Sequence, residues 1–315
     1  MNSFCWSLAA FGLLLIPARI VAQAGRMSAD SVFEATSLLG EKLVRPTPTG
    51  EARTKMEELL SAATRAYNSA PTNADSIIWL GRRTAYLGRF NEAIDIYTRG
   101  IALHPKDARL LRHRGHRYLT TRQLDKAIAD FQKAYELTRN KPDEIEPDGL
   151  PNARNIPTSS LKSNIRYHLG LAHYLKGNFE KAAKLYAEDV AAARNVDTHV
   201  ASAHWLYMSL RRLGKVREAE AVLIPISAKM DVIENTAYHR LLLLYKGELK
   251  PSDILPDQET PTLENVTTAY GVANWHLYDG RKDEAAKLFQ QITAVKSQWT
   301  SFGYLAAEAE LARQR

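Results

Sequence analysis

Residues 80–105 read LGRRTAYLGRFNEAIDIYTRGIALHP, and residues 114–137 read RGHRYLTTRQLDKAIADFQKAYEL. At an offset of 34 residues, Leu80, Gly81, Gly88, Phe90, Ala93, Ile94, Tyr97 and Leu103 fall on Arg114, Gly115, Arg122, Leu124, Ala127, Ile128, Phe131 and Leu137. Small residues recur at Gly81/Gly115 and Ala93/Ala127, and large ones at Tyr97/Phe131. Two antiparallel helices that cross closely leave room only for Gly or Ala at the crossing, and an aromatic ring fills the hole beside it. One such pair cannot bury its apolar face. Stacked copies can, so this period predicts a series of helix-turn-helix units.

The same register runs on. Leu169, Gly170, Gly177, Phe179, Ala182 and Tyr186 form a third unit; Leu206, Leu210, Gly214, Val216, Ala219 and Leu223 a fourth; Ala273, Gly280, Ala285, Phe289 and Ile292 a last. Residues 238–247 supply the first helix of a degenerate unit whose second-helix positions hold Ser252 and Pro256. Units are therefore expected near 74–107, 108–141, 163–196, 200–232, 233–262 and 266–299, with one insertion at 142–162. Upstream, KMEELLSAATRAYNSA (55–70) has Met56, Leu59, Leu60, Ala63 and Tyr67 on one helical face and stops before Pro71, as a half-repeat would. Residues 299–312 read as a C-terminal capping helix, and 25–50 as a separate N-terminal segment.

These residues resemble the tetratricopeptide (TPR) repeat over roughly residues 51–315. The resemblance implies an all-α fold, a right-handed α-solenoid of about six TPR-like repeats with N- and C-terminal capping helices. It also implies a protein-protein or peptide-binding adaptor rather than an enzyme. A structural subunit of an envelope assembly is the alternative, and an enzyme or ligand sensor a more remote one.

The first 24 residues point elsewhere. Leu8–Ile16 is an apolar run too short to span a bilayer, followed by Pro17 and by Ala22-Gln23-Ala24, the small-x-small pattern of a cleavage site. A signal peptide at 1–24 is expected, hence a periplasmic or secreted protein with no membrane span after cleavage, although Met1–Ser7 carries no Lys or Arg. The single cysteine, Cys5, would leave with the signal.

Charge singles out the first two units. Residues 74–122 hold nine Arg and one Lys against Asp75, Glu92, Asp95 and Asp107, whereas the whole chain carries a net charge of only +7. In TPR proteins the first helix of each repeat lines the concave surface. Carried onto this sequence, that places Arg82, Arg109, Arg112 and His116 in the groove, and Arg83, Arg89 and Arg99 outside it. Guanidinium groups match carboxylates or phosphates with paired hydrogen bonds, so the cluster is a candidate anion clamp for an acidic partner. Solvated or internally paired arginines would give the same pattern. Further along, Tyr86, Tyr167, Tyr174, His204, Tyr245, Tyr270 and Tyr278 would line the groove with aromatic faces suited to an extended peptide, unless they are helix packing. The two-carboxylate clamp of chaperone-docking TPR domains is absent, because its positions hold Ile78, Arg82, His113, Asn164 and His168.

The insertion, PDEIEPDGLPNARNIPTSSLK, is stiffened by Pro142, Pro147, Pro151 and Pro157. Asp143, Glu144, Glu146 and Asp148 follow the arginine-rich units directly, so the loop is expected to fold back onto them as competitor or as brace. Its acids echo an EF-hand opening, but Pro147 interrupts them and Asn155 stands where the closing Glu belongs, so no metal is expected. His113 and His116 share a helix face without a third ligand. No phosphate loop, G-x-S-x-G or H-E-x-x-H occurs, so no cofactor or catalytic centre is expected. A local basic patch on an exported chain argues against nucleic acid.

Overall fold

A computed structural model describes residues 32–255 and 263–314. The expected signal peptide lies outside the described residues. Short polar side chains mark several helix starts by accepting the first free backbone N–H groups. Asn73 accepts from Asp75 and Ser76 at the head of α2 (Ala74–Tyr86), Asp107 from Arg109 at α4 (Ala108–Thr120), and Asn195 from Thr198 at α8 (Val196–Arg212). The partner helices are α3 (Phe90–Leu103), α5 (Leu124–Thr138), the pair α6 (Leu161–Leu175) and α7 (Phe179–Ala192), and the short α9 (Val216–Leu223). Helix α10 (Thr236–Lys246) precedes a single turn, α11 (Pro251–Ile254), and α12 (Leu263–Tyr278) pairs with α13 (Lys282–Ala294). The array opens with α1 (Gly50–Ser69), of which only Ala63 is buried, and closes with α14 (Phe302–Arg313).

Helix crossings follow the small-against-large logic of the sequence. A Cβ at Gly81 would lie 2.4 Å from the Tyr97 ring, one at Gly115 3.0 Å from Phe131, and one at Gly170 2.9 Å from Tyr186. Those three rings are 0–1% exposed. The turn inside each hairpin needs a left-handed residue, and Gly88, Gly177, Gly214 and Gly280 supply it at φ of 75, 79, 70 and 79°. In the second unit the same place is held by Arg122 at φ 63°.

Two features depart from the sequence reading. First, residues 33–44 form a β-hairpin, β1 (Phe33–Thr36) against β2 (Lys42–Val44), with Ala35 opposite Leu43. Glu34 of this hairpin accepts the Asn91 N–H at 3.0 Å and pairs with Arg45, which docks the hairpin on the first repeat. Second, the C-terminal helix does not merely cover the end of the stack. Every residue from Gly303 to Glu310 is buried, and α14 packs on α6 as well as on α12 and α13. The array thus closes on itself, because the helix, the hairpin and the second repeat's turn converge: Trp299 Nε1 donates to the Val44 carbonyl (2.9 Å) and Arg122 reaches Glu308.

Candidate functional site

The insertion is where sequence and structure combine most directly. Its ends are fixed to α6: the Asp143 carboxylate accepts Ser160 Oγ (2.7 Å) and Lys162 N–H (3.0 Å), and Leu161 N–H donates to the Glu144 carbonyl (2.9 Å). Between these ends the chain crosses the first helices of successive hairpins. Arg82 Nη1 donates to the Pro147 carbonyl and Arg83 Nη1 to the Gly149 carbonyl, both at 2.8 Å. Glu146 forms an ion pair with Arg112 (3.0 Å), lies 3.6 Å from His113 Nε2, and accepts Asn164 Nδ2 (3.0 Å). Further on, Thr158 donates to Glu234 and its carbonyl accepts from Asn195 and Thr198 of the α8 start. Polarity is inverted along this belt: Glu146 is 8% exposed, whereas Ile145 is 69% exposed.

The contact with α2 is close. A Cβ at Gly149 would fall 1.8 Å from Tyr86 Oη, so only glycine lets the belt sit there. Arg82 stacks 4.5 Å over Trp79 while it donates, which orients its guanidinium toward the loop. Arg83, placed outside the groove by the motif register, reaches the belt after all, because Trp79 and Tyr86 guide it there, at 4.9 and 5.7 Å from its guanidinium carbon.

The other residues singled out from sequence divide. Arg109 is engaged by Asp107 and Asp75, both at 2.6 Å, and hydrogen bonding to Asp107 raises its pKa further. It shares a cleft of about 170 Å³ with Arg82, Trp79 and Glu146. His116 lies apart, against His168 (4.5 Å) and Phe302 (5.6 Å), and burial holds it neutral. Tyr174, His204 and Tyr270 are fully buried and therefore core rather than groove surface in this closed arrangement. Tyr270 Oη donates to Tyr174 Oη at 3.1 Å, and the His204 ring stacks 4.6 Å from Tyr238. Tyr278 is half-buried and donates to Asn274, and Tyr245 stacks on Tyr207 at 4.4 Å. Tyr167 meets Tyr238 hydroxyl to hydroxyl (3.1 Å) and accepts from Trp205 Nε1. Glu144 is exposed and Asp148 half-buried. Trp79 and Phe302 belong to this region but lie outside the repeat-derived groove positions, whereas Glu234 holds in the unit from 233 the place that Arg109 holds in the unit from 108. Trp79 beside Arg82 and Arg83 was a readable cation–π signal and the repeat register reaches Glu234; nothing local marks Phe302.

Among the described residues no helix is long and apolar enough to cross a membrane, and no group of three or more metal-ligating side chains occurs.

Comparison with known proteins agrees with the repeat. The tetratricopeptide repeat family model matches residues 80–145. Human tetratricopeptide repeat protein 13 is 44% identical over 64 residues, which is 20% of this chain and only 7% of that protein's length. A tetratricopeptide repeat protein from Parabacteroides merdae superposes with a TM-score of 0.48 at 18% identity, over 79% of this chain and 90% of its own. YrrB, a TPR protein with an unusual peptide-binding site, gives 0.43 at 14% identity, over 80% and 99%. Tetratricopeptide repeats generally serve protein or peptide partners and are generally not enzymes. The chain is thus an all-α solenoid of helical hairpins that carries tetratricopeptide repeats at residues 80–145.

Proposed function

We propose that the protein is a peptide-binding adaptor whose working surface is the face of α2, α4 and α6, with Arg82 and Arg112 as anchors for an extended acidic segment. The observation that carries this reading is the insertion itself. Residues 145–149 lie as a ligand would, extended, with two backbone carbonyls caught by arginines and one carboxylate held against Arg112. A partner of similar chemistry would compete for the same donors. The all-round burial of α14 supports this choice of surface, since displacing that helix would expose an apolar cylinder, whereas the belt exposes Ile145, Leu150 and Ile156 already.

A synthetic peptide with the sequence of residues 143–149 tests this by titration into the full chain. It should bind Glu146→Gln more tightly than the unaltered protein, because an occupied site has a reduced competent fraction. Binding should weaken with salt and disappear in Arg82→Gln/Arg112→Gln. Equal affinity for the unaltered protein and that double variant overturns the reading.

An assembly role draws on a different observation: Ile145, Leu150 and Ile156 stand 69, 55 and 48% exposed along the belt. A self-associating chain whose mass in sedimentation falls to the monomer in Ile145→Ser/Leu150→Ser/Ile156→Ser would favour it. We also propose export, resting on Leu8–Ile16 and Ala22-Gln23-Ala24; N-terminal sequencing of the mature protein should begin at Gly25.

A further inference from the structure

Beyond the belt, two adjoining clefts of about 300 and 540 Å³ share Glu234, Asn235, Tyr238 and Phe302 as lining. Tyr167, His168 and Asp148 line the smaller one and His116 the larger. In a chain with 42 Lys and Arg, neither cleft has a Lys or an Arg in its wall among the described residues.

Three groups there have unmet capacity. Glu234 accepts Asn152 and Thr158, each at 2.7 Å, but meets no cation among the described residues; the nearby Arg154 is committed to Asp231. Asp148 has no hydrogen bond or ion pair among the described residues, and partial burial together with the Glu234 charge raises its pKa. Arg82, which favours its ionised form, is spent on the Pro147 carbonyl.

The third group is independent of the acids. His168 is 5% exposed, and its Nδ1 lies 2.6 Å from the Asn164 carbonyl. A carbonyl only accepts, so Nδ1 carries the proton. Burial and Arg112 push His168 down to about 3, so the ring is neutral and Nε2 is a bare acceptor. No donor reaches Nε2 among the described residues. Carboxylates, a lone imidazole acceptor and the ring faces of Tyr238 and Phe302 all call for one chemistry, a cation rich in N–H donors.

We propose that this chamber binds a guanidinium or ammonium group on an alkyl stem, as borne by an arginine or lysine side chain or by a free diamine. Asp148 and Glu234 neutralise the charge, His168 Nε2 takes one N–H, and the aromatic faces cover the stem. The inference stands apart from the acidic-peptide reading, because small cations do not need Arg82 or Arg112.

The test titrates Nα-acetyl-arginine amide, its neutral isostere Nα-acetyl-citrulline amide, and agmatine into the full chain, with the histidine side-chain nitrogens followed by NMR. The arginine amide should move the His168 Nε2 resonance and bind at least tenfold more tightly than the citrulline amide. Asp148→Asn/Glu234→Gln should weaken it at least tenfold, whereas Glu144→Gln, outside the chamber, should not. Relative affinity for agmatine and the capped arginine tells a free amine from a side chain, and either order supports the chamber. Equal binding of the citrulline amide, or an unmoved His168 Nε2, overturns the proposal without any variant having to fold.

Discussion

Arg122 and Glu308, 186 residues apart in sequence, form a two-pronged ion pair in the interior, with both hydrogen bonds at 3.0 Å and the Glu308 side chain wholly buried. Arg122 also donates to the carbonyls of Thr120 (2.5 Å) and Trp299 (2.7 Å). A side chain in the left-handed region costs ~1–3 kcal/mol. The other hairpins avoid that cost with glycine, so Arg122 exchanges a relaxed turn for a clasp on α14.

Removing one partner should leave an uncompensated buried charge, costing ~3–5 kcal/mol. Arg122→Gly is therefore expected to destabilise despite its easier backbone, as Glu308→Gln should. Arg122→Gly/Glu308→Gln should lose less than the two single changes added together. Urea unfolding of the four proteins measures the coupling, and simple additivity would show that the clasp is not a unit.

Gly81→Ala should cost more than Gly115→Ala, since the added methyl would stand 2.4 Å from Tyr97 but 3.0 Å from Phe131. Overpacking of this kind costs ~1–3 kcal/mol. Denaturation midpoints compared at constant slope give the order.

Acid should weaken the fold through its buried imidazoles. Burial pushes His204 and His168 down to about 3, so between that value and the ordinary ~6.5 the unfolded chain binds protons that the native one refuses. Stability is then full above pH ~6.5 and falls as pH drops, by up to ~1.4 kcal/mol per unit for each such group. Among the described residues His204 Nδ1 has no hydrogen-bond partner, and the ring stacks on Tyr238 and Tyr245. His204→Phe should keep the stack and flatten the acid limb of the melting temperature against pH.

Gly149→Ala should lift the belt without touching a charge, because the new Cβ would fall on the Tyr86 hydroxyl. The expected results are faster tryptic cleavage after Arg154 and tighter binding of the acidic peptide. Unchanged cleavage would mean that the belt relaxes around the methyl.

The hairpin series was legible because each unit repeats a local rule: Gly81 must face Tyr97 and Gly115 Phe131 wherever two helices cross. Asn73 and Asp107, each directly before the helix it caps, were not singled out from the sequence although short polar residues in that place are a local signal. The acids after the arginine-rich units pointed to the belt, although which carboxylate would meet which guanidinium depended on the path of the chain; only Glu146 reaches Arg112. The β-hairpin was missed because residues 32–44 have no helical period, though Gly40 between two short apolar stretches marks a turn. What no window could reveal was the closure. Glu308 and Phe302 meet Arg122 and His168 only because the array curves far enough, and curvature accumulates over all the repeats. Tyr174 and Tyr270 read as groove lining for the same reason: in an open array they would be.

An ordinary repeat array is one-dimensional, each unit leaning only on its neighbours, so it can form piecemeal as it leaves the ribosome. The burial of α14 denies this chain that order of events. Until Phe302–Arg313 has been synthesised, Arg122 in the second repeat's turn lacks its carboxylate partner Glu308, and Arg313 is not there to donate to the Leu175 carbonyl at 2.8 Å. Residues 302–313 are the keystone of repeats made long before them, so the nascent protein must wait with its middle open, the interval in which a chaperone or a partner has its freest access to the inner face.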